Sequence, residues 1–223
     1  AVKDGRYQIH ITEELAEVAY LDQVQLIAVD HAAGESLYVN DKFKAPPFPE
    51  FRLYGARTKL RAHRNGDVLD FGANVPRNAL LVLTGWVDWA GGSTFLQAAQ
   101  TAGQQLQFPR LEAQGADGTW RTIVEDMGLP AGKPKSIVVP LQGLTTGRLR
   151  IATNLAVHWT DAFLTPDTAE PAHRLHVAPL LAADLHFRGF SAVTVHPRRE
   201  EPEKFHYTQV SSTSMWNPKI GRA

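Results

Sequence analysis

Nine histidines and five tryptophans are the side chains of this sequence best suited to chemistry or recognition. His173 and His176 stand three apart, and His158 lies three before Asp161. Imidazoles and carboxylates at short spacing can hold a metal, provided several converge with the right geometry. On a strand, residues three apart point to opposite faces, so His173 and His176 share a site only in a helical segment. Surface or hydrogen-bonded histidines are therefore the expectation, with no metal and no cofactor implied. Asp30-His31 follows an apolar run, where active sites often sit. An Asp there also caps turns by accepting bonds from nearby backbone N–H groups, and that is the preferred reading.

Trp86 and Trp89 flank Val87-Asp88 just before Gly91-Gly92. An exposed indole beside acidic and amide groups suits a sugar, whose C–H face packs on the ring while its hydroxyls bond polar neighbours. Trp86, Asp88, Trp89 and Trp120 are thus the candidate ligand-binding residues. The competing expectation makes Trp86 and Trp159 core anchors of a sandwich. Trp216 is different, because Ser211 to Ser214 and Asn217-Pro218 around it are polar. Its ring must find apolar cover on this domain or on a neighbour, so Trp216, Asn217 and Pro218 are the candidate partner contact.

Catalytic signatures are missing. The chain holds no G-x-S-x-G elbow, no phosphate-cradling G-x-x-x-x-G-K-[ST] and no H-E-x-x-H. Glu13-Glu14 and Glu125-Asp126 are adjacent in sequence, so on a strand they face apart and make no acid/base pair. The expectation is a protein that is not an enzyme. The run Arg198-Arg199-Glu200-Glu201 reads as a solvated, self-compensating stretch.

The elements that must position these residues are short. Of 223 residues, 43% are apolar and 21% charged, which is ordinary for a globular chain. Lys and Arg number 23, as do Asp and Glu, so charge gives no reason to expect nucleic acid or an anionic membrane. No apolar stretch approaches the roughly eighteen residues of a membrane span. Cysteine is absent, which permits the cytosol and bacterial envelopes alike. Ala1-Val2-Lys3 lacks an initiating Met, which fits a trimmed mature chain or an excised fragment.

Alternation over Tyr7, Ile9 and Ile11 predicts a half-buried strand, and the apolar Tyr20 to Asp30 a central one. Lys44 to Glu50, with Pro46, Pro47 and Pro49, reads as an extended connector. Lys59 to Arg64 and Asp67 to Phe71 flank Asn65-Gly66, which predicts a type I′ hairpin. Ala79 to Trp86 reads as a buried strand, and Ser93 to Ala102 as a short helix capped by Ser93 and closed by Gly103. Further strands are expected at 111–113, 120–124, 136–140, 148–152, 156–159, 175–187 and 192–196. From Pro197 onward the chain reads as a polar tail. The fold class expected is all-β, an antiparallel β-sandwich or jelly roll with one or two short helices and extended terminal segments. The divisions are 1–58, an N-terminal β segment; 59–165, a sandwich core; and 166–223, C-terminal strands and tail. Together they form one compact unit.

Several blocks then carry a family resemblance. They are Glu14-Leu15, Tyr20-Leu21-Asp22-Gln23-Val24, Ala28-Val29-Asp30-His31, Gly85-Trp86-Val87-Asp88-Trp89, Trp120 to Lys135, Thr153-Asn154-Leu155 and His158-Trp159. Phe187-Arg188-Gly189-Phe190-Ser191 and Met215-Trp216-Asn217-Pro218 belong with them. The set resembles the C-terminal region of large bacterial proteins that carry FG-GAP or tetratricopeptide repeats, often with an ASPIC/UnbV region. The characteristic repeats are missing, so this chain corresponds to one module. The resemblance implies an exported protein, periplasmic or at the cell surface, and assigns no catalytic residue. The order strand, Asp-Gly turn, Trp120, strand, Arg148-Leu149-Arg150-Ile151 also looks like galactose-binding-like jelly rolls, at the level of fold.

Three functions are then in competition. The leading expectation is a non-catalytic module for protein–protein assembly at the bacterial envelope. The alternative is a carbohydrate-binding module, and the last is a metal-dependent hydrolase using the histidines and Asp30.

Overall fold

Leu80 to Leu83 are buried on both sides of one sheet, and the architecture follows from what covers each side. In the computed structural model the described residues are 2–14, 20–21, 24–41, 52–87, 92–101, 103, 105–132, 134–167, 172–198 and 200–214. In chain order the strands are β1 (Val2–Lys3), β2 (Arg6–Tyr7), β3 (Leu26–His31), β4 (Ser36–Val39), β5 (Leu53–Ala56) and β6 (Leu60–Arg61). Then come β7 (His63–Asn65), β8 (Val68–Asp70), β9 (Ala79–Val87), the helix α1 (Gly92–Gln100), β10 (Arg110–Gln114) and β11 (Trp120–Val124). The rest are β12 (Lys135–Leu141), β13 (Arg148–Ala152), β14 (Val157–Pro166), β15 (His173–Ala178), β16 (Phe190–Thr194) and β17 (Lys204–Ser211). The protein is nearly all-β, with one short helix among the described residues and antiparallel sheets.

The chain forms two compact units, one of residues 29–174 and one joining 1–28 to 175–223. In the first, a five-stranded sheet (β11-β10-β13-β8-β7) and a four-stranded sheet (β12-β9-β14-β6) share a core. Side chains alternate along a strand, so Leu81 and Leu83 of β9 meet Ile137, Val139 and Leu164 on the inner face. Leu111 of β10 and Leu149 of β13 come from the opposing sheet, and Met127 and Leu144 from loops. Leu80, Val82, Val138 and Phe163 point the other way, where Ala56, Tyr38 and Tyr54 of the β4–β5 hairpin cover them. Covering both faces explains a run without polar alternation. Each fully buried Leu or Phe there contributes about 1.5–3 kcal/mol.

Close approach fixes one glycine. A Cβ on Gly147 would lie 2.1 Å from the Gly72 carbonyl oxygen, and the Gly147 carbonyl accepts from Phe71 N–H at 2.8 Å.

Several expected elements shift. The hairpin loop is Gly66-Asp67, one residue later than Asn65-Gly66, since Asn65 pairs with Val68. Gly66 has φ +59° and Asp67 no positive φ, which is the type II′ pattern rather than type I′. The helix starts at Gly92, not Ser93, and Thr101 closes it by donating N–H and Oγ–H to the Gln97 carbonyl. The connector 44–50 lies outside the described residues.

In the second unit, β1 and β2 join through Asp4-Gly5, both with positive φ, so the type I′ turn sits here. Only Tyr7 of the expected Tyr7–Ile11 strand is in a strand, and Tyr7, Ile9 and Ile11 are exposed. Of Tyr20 to Asp30, only the residues from Leu26 onward form a strand, paired with β15. The stretch 175–187 yields strand only to Ala178. The expected polar tail instead contains β17, which pairs with β16 around a bulge at Ser191/Ala192.

Candidate functional site

Alternation on β10 turns Leu111 and Ala113 inward and leaves Arg110, Glu112 and Gln114 on the outer face of the five-stranded sheet. On β13, Leu149 and Ile151 turn inward, leaving Arg148 and Arg150 outside. The antiparallel register sets Glu112 directly opposite Arg150. Glu112 is 5% exposed and accepts Nε–H bonds from Arg110 at 2.9 Å and Arg150 at 2.5 Å. The Arg150 guanidinium also lies over the Trp120 ring, 4.5 Å from its centroid. Burial alone would raise the Glu112 pKa, but the bonds and charges of the two arginines outweigh it and hold it below the usual carboxylate value. Beside this cluster Arg148 pairs with Asp70 at 3.9 Å. The face can present fixed guanidinium groups to solvent.

A second polar node lies in the other unit. Glu14 is buried and accepts bonds from Ser191 N–H at 2.7 Å, Ser191 Oγ–H at 2.8 Å and an Arg188 terminal N–H at 3.2 Å. Arg188 also donates to Ser191 Oγ and to the Tyr207 carbonyl. Burial pushes the Glu14 pKa up, yet the bonds from Ser191, Thr12 and Arg188 bring it below normal. The Ser191 hydroxyl is thus engaged twice, donating to Glu14 and accepting from Arg188.

A shallow depression of about 310 Å³ is lined by Ala98, Gly103, Gln105, Leu106, Gln107 and Asn154. Its amides are engaged, since Asn154 accepts from Gln107 N–H and donates to the Gln105 carbonyl. No ionisable side chain lines it, so it offers orientation and no acid/base chemistry.

Trp86 is 3% exposed and stacks on His158, with centroids 4.4 Å apart and planes at 14°, which makes it a core anchor. Trp120 is half-buried, with one face against Arg150. Asp88, Trp89, Trp216, Asn217 and Pro218 lie outside the described residues. His173 and His176 are both on β15, hence on opposite faces. Asp161 pairs with Arg61, not with His158. His31 Nδ1 lies 3.1 Å from the Ala32 carbonyl, beside an exposed Asp30. Among the described residues no three His, Asp or Glu side chains converge on a point that could hold a metal. The Glu112 cluster went unread because it depends on register. Its only trace in sequence is the alternation Arg110-x-Glu112 and Arg148-x-Arg150, which puts like-facing charges on two strands. Compared with protein-family models, curated proteins and solved structures, the chain matches none.

Proposed function

We propose that this protein is a non-catalytic β-sandwich module that mediates protein–protein assembly, at the bacterial envelope in the periplasm or on the cell surface. One observation supports the assembly reading: the two units divide their apolar side chains unequally. Every buried hydrophobic side chain among the described residues belongs to 29–174. Among the described residues, fourteen of the eighteen exposed large hydrophobics belong to the other unit. Leu180, Leu181, Leu185 and Phe187 are 73%, 68%, 101% and 76% exposed within eight residues that form no strand.

Scattered exposed apolar residues are ordinary, whereas a concentration of them marks an interaction surface. Covering one Leu or Phe stabilises by about 1.5–3 kcal/mol, so four would outweigh much of the cost of association. The envelope setting rests on the family resemblance alone. With Trp86 in the core, the sugar platform loses its first member.

The test is isolation from the native source under mild conditions, with size-exclusion chromatography and mass spectrometry. A stoichiometric protein partner is expected, and a Leu185→Ser/Phe187→Ser variant with unchanged thermal stability should lose it. A clean monomer in the native extract would overturn the proposal.

A further inference from the structure

We propose that the outer face of the five-stranded sheet carries an oxyanion-binding site, formed by the guanidinium groups of Arg110 and Arg150 and braced by the buried carboxylate of Glu112. The site lies wholly within residues 29–174 and does not depend on the assembly reading. Each guanidinium has five N–H donors, and Glu112 engages only the Nε–H of each. The terminal N–H groups of both arginines make no hydrogen bond to another described residue. Both side chains remain partly open to solvent, at 36% and 37%. Two guanidiniums against one carboxylate leave one net positive charge, and the adjacent Arg148–Asp70 pair adds none.

The bracing is what distinguishes this cluster from a surface ion pair. Ordering a free arginine costs up to about 2 kcal/mol of rotamer entropy, and here Glu112 and the Trp120 ring have already imposed it on Arg150. A terminal guanidinium edge matches two oxygens of a carboxylate, sulfate or phosphate, which an ammonium does not. The ligand class is therefore an oxyanion, either a free inorganic anion or the acid group of a sugar acid.

The experiment follows the arginine Nε–H signals of the full chain by NMR. It titrates sodium sulfate, methyl glucuronide and, as the neutral control, methyl glucoside, at constant ionic strength. Saturable shifts confined to Arg110 and Arg150 are expected, with Kd in the range of about 1–10 mM. Sulfate binding alone assigns a free anion, and glucuronide binding assigns a sugar acid. Arg150→Lys keeps the charge and should weaken binding roughly tenfold. Glu112→Gln raises the net positive charge yet should also weaken binding, because the brace is lost. Uniform, non-saturating shifts at all arginines would overturn the proposal, and so would tighter binding by Glu112→Gln. If Glu112→Gln does not fold, Arg110→Lys tests the need for the second guanidinium at constant charge, and undiminished binding by it overturns the site.

Discussion

Glu112 and Arg150 face each other as register partners on β10 and β13, and the carboxylate of one is held by the Nε–H of the other. The pair stands on the solvent side of a sheet whose opposite side is the core, so it pins the outer surface of strands whose inner residues, Leu111 and Leu149, are fully buried.

Removing one member should cost more than the pair contributes. Arg150→Ala leaves Glu112 buried with Arg110 as its remaining partner, and we expect a loss of about 2–4 kcal/mol in denaturant unfolding. The double variant Arg150→Ala/Glu112→Ala should recover part of it. Strict additivity would show that the two side chains do not interact.

Acid should weaken both units through their carboxylates. Glu14 and Glu112 have folded-state pKa values below the ordinary 4.5. A depressed carboxylate supplies its full stability above the unfolded value and loses it as pH falls through the folded one. Tm should therefore stay level from neutral pH to about 5 and then fall. In Glu112→Gln and Glu14→Gln the fall should be shallower, and an unchanged slope in both would contradict the assignment.

Equal apolar truncations should differ by unit. Leu83→Ala removes a fully buried side chain and should cost about 2–5 kcal/mol. Leu185→Ala removes a fully exposed one and should stay within about 0.5 kcal/mol. Chemical denaturation of the purified chain reads both.

Gly147→Ala should destabilise by about 1–3 kcal/mol, because its new methyl group would collide with backbone rather than with a movable side chain. Gly143→Ala is the informative companion. Its Cβ would meet nothing within 4 Å, so only its φ of +67° opposes the change. A smaller loss there than at Gly147 separates collision from backbone strain.

Much of the sandwich was legible. Trp120–Val124 and Arg148–Ala152 fall where short apolar-rich runs between turns put them, because β-branched and aromatic residues bounded by turn residues mark a strand by composition. The other unit is less legible. Tyr7, Ile9 and Ile11 alternate like a half-buried strand, yet they are exposed, and periodicity cannot tell whether a cover exists. The hairpin slipped by one residue because Asn65-Gly66 and Gly66-Asp67 are both good turn pairs. Glu112 and Glu14 owe their partners to strand register and to long-range contact, neither of which local pattern encodes.

The bond from Ser191 to Glu14 spans 177 positions, and the whole of the 29–174 unit is interposed between its ends. A ribosome therefore delivers Glu14 long before its partners, and the sandwich has been synthesised by the time Arg188 and Ser191 emerge. Domains tend to fold as units in the order they are made. Residues 2–14 must then wait, with Glu14 lacking Arg188 and Ser191, until the closing segment arrives. A chain halted before Arg188 and Ser191 would never close the Glu14 node.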